Sequence, residues 1–321
     1  MPIHFGRTTL THALRHHSDL QCSDGTGPGG SDYDSVGNGA SVHTLAPDHQ
    51  FQDQVATVRF QCLPSCLEKL EAKVQQVTID LCINPADPPD GAKGGSLQAV
   101  KVTIDEHFNG ITVLSAPASD EHEIDVLAVS GLGSHPFGSF VNKEDGHMWL
   151  SESLVRDMPS ARVMIYGYQS GLWKNASIAH VGDLAGPLQI ALSSLLRCKD
   201  KTRLILLGHS LGGLLIQEAL IRIAESDFNS ELLDVLLGVL FFGVPNDGMA
   251  IESLIPIVND QPNRFLVESL NPMNSQVLEI QARNFLDILE RTNFELFCFY
   301  ETELSKTAAM VSTIGTVENL D

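Results

Sequence analysis

Arg203-Leu204-Ile205-Leu206-Leu207-Gly208-His209-Ser210-Leu211-Gly212-Gly213-Leu214-Leu215 is the stretch on which the reading of this chain turns. An apolar run of strand length enters Gly-x-Ser-x-Gly, and an apolar helical run leaves it. A serine hydroxyl attacks an ester or amide only when it is held clear of the backbone's own hydrogen bonding, within reach of a base and beside N–H donors. A sharp strand-to-helix turn meets these needs. It crowds the positions two before and two after the serine, and those positions are Gly208 and Gly212, which have no Cβ to clash. The helix that follows turns its N-terminal amides and positive dipole end toward the hydroxyl. The pattern predicts Ser210 as a nucleophile and the Leu211 amide as one oxyanion donor.

Outward from this turn, short apolar runs alternate with helical ones. Strands are expected at residues 124–129, 161–165, 203–207, 236–242 and 294–299, and helical spacing covers 148–158, 179–198, 211–224 and 251–291. Apolar strands separated by amphipathic helices predict a parallel sheet covered by helices on both faces. Earlier in the chain, residues 100–104 and 111–114 are two β-type runs joined by Asn109-Gly110, read as an antiparallel hairpin. Residues 51–96 read as a small β-α-β extension followed by a loop, with β-type runs at 55–60 and 77–83 and a helix at 67–74. Residues 1–50 read as a disordered segment, because 22–50 are dominated by Gly, Ser, Asp and Pro. The main domain is then expected over residues 97–321.

In an open parallel sheet the ligand crevice lies beyond the carboxyl ends of the strands. After residue 129 comes Ser130-Gly131-Leu132-Gly133-Ser134-His135, a loop whose backbone can approach a carbonyl, and the Leu132 amide is the second candidate oxyanion donor. After residue 242 comes Gly243-Val244-Pro245-Asn246-Asp247, and after residue 299 comes Tyr300-Glu301-Thr302-Glu303. The order Ser, acid, His makes Glu301 the favoured triad acid, with Glu303 and Asp247 as alternatives. The last histidine of the chain is His209. Its side chain should point away from the hydroxyl of the next residue, and His135 and His147 could replace the base only by an unusual arrangement. A chain without that imidazole is expected to turn over slowly or not at all.

Composition limits the partners. Forty acidic against twenty basic residues leave a formal charge of −20, which repels phosphate backbones and excludes nucleic acid as a partner class. No apolar run reaches membrane-spanning length. The six cysteines include no Cys-x-x-Cys pair, so neither a zinc site nor a disulfide framework is expected, and a reducing, cytoplasmic compartment fits. The first eighteen residues carry Arg7 and Arg15 and no acid, a composition shared with mitochondrial transit peptides and with plain disordered tails. His12, His16 and His17 have helical ligand spacing but no further ligand beside them. With no Gly-x-x-x-x-Gly-Lys-Ser/Thr loop either, no cofactor and no metal are expected.

With these residues in hand, the chain resembles the lipase-like α/β-hydrolase domains of the GPI inositol-deacylase and serine-active-site-protein group. The likeness is to the version at the N-terminus of fungal NACHT-type proteins that continue into ankyrin or tetratricopeptide repeats. It is carried by Phe108-Asn109-Gly110-Ile111-Thr112, Asp125-Val126-Leu127-Ala128-Val129-Ser130-Gly131-Leu132-Gly133, Val163-Met164-Ile165-Tyr166-Gly167-Tyr168 and Gly208-His209-Ser210-Leu211-Gly212-Gly213. Further on, Phe241-Phe242-Gly243-Val244-Pro245, Asn263-Arg264-Phe265-Leu266-Val267-Glu268-Ser269 and Phe299-Tyr300-Glu301-Thr302 continue it.

The resemblance implies an α/β-hydrolase fold, an esterase or lipase activity on a small-molecule or lipid ester, and signalling partner proteins in the NACHT setting. Two departures go with it. Asn246 stands where many relatives have a His, and relatives continue past Phe-Tyr-Glu-Thr into another strand and a His-bearing loop. The chain is therefore expected to be C-terminally truncated, lacking the last strand and helix. Two functions follow: a serine hydrolase, or an inactive hydrolase-fold module that acts through partners. Residues 251–289 are expected to supply a cap over the site, with Leu254, Ile255, Ile257, Phe265 and Leu266 as its apolar lining, against the alternative of ordinary helix-on-sheet packing.

Overall fold

A computed structural model describes residues 7–20, 39–48, 53–71, 76–83, 98–106, 108–118, 120–171, 179–196, 202–226, 230–252, 254–274, 276–300 and 302. The chain forms two compact units. One comprises Met1–His107 with Val113–Ala116, the other Phe108–Thr112 with Pro117–Asp321.

In the first unit, helix α1 (Arg7–His16) buries Leu10 and Leu14, one turn apart on one stripe, and leaves its other side to solvent. Strand β1 (Ser41–Asp48) pairs antiparallel with β2 (Asp53–Arg59). After the short helix α2 (Glu68–Glu71), β3 (Val77–Ile83) pairs antiparallel with β4 (Gln98–Ile104). Burial in β3 alternates, with Ile79, Leu81 and Ile83 inside, the period-two pattern of a strand with one wet face. These side chains form one core with Leu10, Leu14, Leu20, Val42, Leu67 and Leu70.

Three expectations are corrected here. Residues 7–20 and 39–48, read as part of a disordered segment, carry α1 and β1, because Leu10, Leu14, Leu20 and Val42 supply apolar burial that a low average composition hides. The small β-α-β extension is instead two antiparallel pairs, with β2 partnered by β1. The expected 100–114 hairpin does not form. β4 turns back to β3, and the Asn109-Gly110 turn leads to a bridge between Asn109 and Gly167. The cysteines also differ from expectation: Cys62 is disulfide-bonded, while Cys82 and Cys298 are free thiols. The cysteine pattern therefore no longer argues for a reducing compartment.

The second unit carries five strands and the start of β5 (Gly110–Ser115) of a six-stranded sheet. The sheet's strands are β5, β6 (Ile124–Val129), β7 (Ala161–Gly167), β8 (Arg203–His209), β9 (Leu236–Phe242) and β10 (Glu295–Phe299), in the spatial order β10-β9-β8-β6-β7-β5. All pairings from β7 through β10 are parallel. Every residue of β7 is buried, so both faces of the sheet are covered there. The crossovers supply α3 (Val155–Asp157), α4 (Val181–Leu196), α5 (Leu211–Ala224), α6 (Glu231–Val235), α7 (Ile255–Val258), α8 (Arg264–Glu268) and α9 (Gln276–Arg291), with α5 packed against both α4 and α9. The helical stretch 251–291 is broken into three helices, with Pro262 and Pro272 in the breaks and Pro256 in the first turn of α7, where a proline is tolerated. No helix among the described residues is long and apolar enough to cross a membrane.

The chain leaves β6 outward to β7, then returns to the other side of β6 with β8 and continues outward to β9 and β10. Adjacent strands β6 and β8 thus feed connections in opposite directions, which opens a crevice beyond their carboxyl ends. At the opposite end of the same strands, Arg162 donates from Nε and Nη2 to the two oxygens of Asp125, each at 2.7 Å. His122 Nε2 lies 2.8 Å from Asp125 Oδ1, and the three side chains are 5–6% exposed. The register β6–β7 places Asp125 beside Arg162, so this buried pair staples the two strands at their start.

Candidate functional site

Ser210 sits between the end of β8 and the first residue of α5, with φ 51° and ψ −126°. A side chain at positive φ is uncommon outside Gly, Asn and Asp, and such strain persists only where the surroundings over-determine it. Here the Ser210 amide donates to Phe242 O at 2.9 Å and its carbonyl accepts from Gly213 N at 3.0 Å, so the sharp turn is fixed from β9 and from α5 together. The glycines around it are sterically required. A Cβ on Gly208 would lie 2.6 Å from Gly213 Cα, and one on Gly212 would run into Val129 O and Ser130 O.

The strand register shows what meets Ser210. Val129 is level with Gly208 across β6 and β8, so the first residues past β6 are level with His209 and Ser210. Gly131 is accordingly packed on the serine. A Cβ there would stand 2.9 Å from Ser210 Cβ and 3.3 Å from its Oγ. Leu132 follows in the same loop, and Leu211 opens α5, where an N1 amide has no intrahelical acceptor. The structure thus brings Ser210, Leu211 and the Gly131-Leu132 loop to one point. It also yields a prediction: Gly131→Ala is expected to slow any fluorophosphonate labelling of Ser210 about 100-fold and to lower the melting temperature, because a Cβ 2.9 Å from Ser210 Cβ forces the loop or the serine turn to shift. A labelling time course compared with a melting curve checks it.

The remaining expected residues are distributed as follows. Glu301 and Glu303 lie outside the described residues; β10 carries the chain to Phe299, whose carbonyl accepts from Gly243 N at 2.8 Å. Asp247 is exposed, and Asn246 Oδ1 accepts from the buried Gln217 Nε2 of α5 at 2.7 Å, which gives Asn246 a packing role. His135 Nδ1 accepts from the Phe137 and Gly138 amides, at 3.2 and 3.0 Å, and its ring meets Phe108 edge-on. His147 is held by Glu152 and Ser153, and the His209 ring lies against Gly131. Among the described residues no histidine is hydrogen bonded to Ser210. In the expected cap, Leu254 and Leu266 are buried, 7% and 3% exposed, whereas Phe265 is 61% exposed. Ordinary packing accounts for the two leucines. No group of three or more His, Cys, Asp and Glu that could hold a metal occurs among the described residues.

Sequence reasoning missed the segment that leaves β7. Tyr168 donates from its hydroxyl to Ser130 O at 2.9 Å, and Ser170 Oγ donates to Ser134 O at 3.0 Å. The Gly133 amide in turn donates to Ser170 O at 2.7 Å. Burial, with the neighbouring Tyr166 adding to it, pushes the Tyr168 phenol far above its ordinary pKa, while burial alone raises Tyr166 to about 12. Both therefore remain protonated donors at any working pH. The one available signal was the run of aromatic and small polar residues at a strand's carboxyl end.

The parallel sheet, the strained serine and the helix that follows it make an α/β-hydrolase fold. No protein-family model matches the chain. It is similar to the protein SERAC1 of Mus musculus, 24% identical over 242 residues, which cover 68% of this chain and 37% of that protein. It is also similar to SERAC1 of Danio rerio, 28% identical over 169 residues, covering 50% of this chain and 25% of that protein. The matches thus span about a quarter to two fifths of the length of these curated relatives. Among solved structures, the mature form of the lipase BlEst2 from Bacillus licheniformis is 15% identical with a TM-score of 0.43, covering 63% of this chain and 75% of that one.

Proposed function

We propose that this chain is a serine hydrolase of the esterase or lipase type acting on an acyl ester, with a lipid-like acyl group as the substrate class suggested by the resemblance to GPI inositol-deacylases. The observation that carries this reading is the backbone of Ser210, held at φ 51° with Gly131 against its hydroxyl. In this mechanism Ser210 Oγ attacks the ester carbonyl and loses its proton to a water molecule, since no histidine among the described residues is hydrogen bonded to it, and turnover is therefore slow. The carbonyl oxygen becomes an oxyanion that accepts from the Leu132 and Leu211 amides. Collapse of the tetrahedral intermediate expels the alcohol, and water then releases the acid. Glu301, two residues after the end of β10 in the sequence, is the proposed acid.

Incubation of the full chain with a fluorophosphonate tests the reading. The expected result is slow labelling that Ser210→Ala abolishes, and a folded chain that stays unlabelled after prolonged incubation overturns it. That second outcome would favour a hydrolase-fold module of the NACHT type acting through signalling partners. The observation on its side is Asn246, which stands where relatives carry a His and is spent on Gln217.

A further inference from the structure

We propose that Tyr168 and Ser170 are positioning residues that hold the Gly131–Leu132 peptide, and with it the donor amide of Leu132, in its working orientation; this rests on the reading of Ser210 above. A trans peptide is planar, so fixing its carbonyl also fixes the direction of its amide. Tyr168 pins the Ser130 carbonyl and thereby the 130–131 plane. Ser170 O takes the Gly133 amide and thereby pins the 132–133 plane. The peptide that carries the Leu132 amide lies between these two fixed planes, so it is left to rotate about its own Cα–Cα axis, with ψ of Gly131 and φ of Leu132 turning together. Ser170 Oγ on Ser134 O closes the far end of the loop.

The clamp is itself preorganised. Ser170 N donates to Tyr168 O at 2.7 Å, a tight three-residue turn, and Ser170 is buried. The side of Gly131 away from the clamp is occupied by Ser210, so the loop is held between the nucleophile and β7's trailing segment. Donors fixed before reaction need no reorganisation as charge develops, and losing that preorganisation at one donor costs rate rather than binding.

The test uses the full chain with Tyr168→Phe, which removes only the hydroxyl, and Ser170→Ala as an independent second variant. Amide hydrogen exchange of residues 130–134 is expected to rise at least about 10-fold in Tyr168→Phe, and in Ser170→Ala at the residues other than Gly133, whose bond to the Ser170 carbonyl that variant keeps, while β6 exchanges as before. With the fluorophosphonate, the maximal labelling rate is expected to fall about 10- to 100-fold with the half-saturating probe concentration unchanged within about twofold, a split that general destabilisation would not produce. Unchanged loop exchange overturns the clamp, and so does loosened exchange with an unchanged labelling rate. If the parent chain itself resists labelling, the Ser210 reading fails, while the exchange result still decides whether Tyr168 and Ser170 hold the loop.

Discussion

Ser210→Ala is expected to abolish fluorophosphonate labelling and to lower any ester hydrolysis by at least about 10³-fold, because the proposed nucleophile is gone. The companion variant Ser210→Gly is expected to be equally inactive and yet more stable than Ser210→Ala by about 1–2 kcal/mol. The reason lies in the backbone. At φ 51° and ψ −126° any side chain is strained, alanine as much as serine, whereas glycine occupies that region readily. Urea unfolding of the two variants side by side measures the difference. Equal stabilities would mean that the turn stores no strain, and the argument that Ser210 is held in place for reaction would lose its physical basis.

Asp125→Ala is expected to lower the unfolding free energy by about 3–5 kcal/mol, a large part of a typical domain's stability. The variant leaves the Arg162 guanidinium buried with neither of its two carboxylate acceptors. The contribution of this pair also depends on pH. Burial pushes the Asp125 pKa up, but hydrogen bonds from His122 and Arg162 outweigh it and leave the carboxyl below its ordinary 3.8. A carboxyl depressed on folding adds stability that is complete above about pH 4 and is lost as the pH falls through the lower folded value. Urea midpoints of the parent chain and Asp125→Asn should therefore differ widely at pH 7 and converge toward pH 2. A gap of constant width across that range would show that the carboxylate charge contributes nothing.

Much of the second unit was legible because its signals are local. The runs at 124–129 and 236–242 coincide with β6 and β9, and 211–224 with α5, since apolar strand runs and an apolar helical run need no distant partner to be recognised. The first unit was misread for the opposite reason. Leu10, Leu14 and Val42 look isolated in a polar stretch, and only their meeting with Leu81 and Ile83 makes them a core. The hairpin at Asn109-Gly110 failed likewise. The turn signal was sound, but Phe108 takes φ 48° and sends the strand to the edge of another sheet.

The sequence by itself determined the serine turn through the local Gly-x-Ser-x-Gly pattern and the crowding of Gly208 on Gly213, whereas Gly212 is required by Val129 O and Ser130 O arriving from β6. It also determined the parallel sheet, through the spacing of its apolar strands. Only the tertiary structure decided which groups face Ser210. Gly131 arrives from β6, and Tyr168 reaches a carbonyl 38 residues away. Such contacts depend on strand order and register, on Val129 being level with Gly208, and no local periodicity encodes which strands become neighbours.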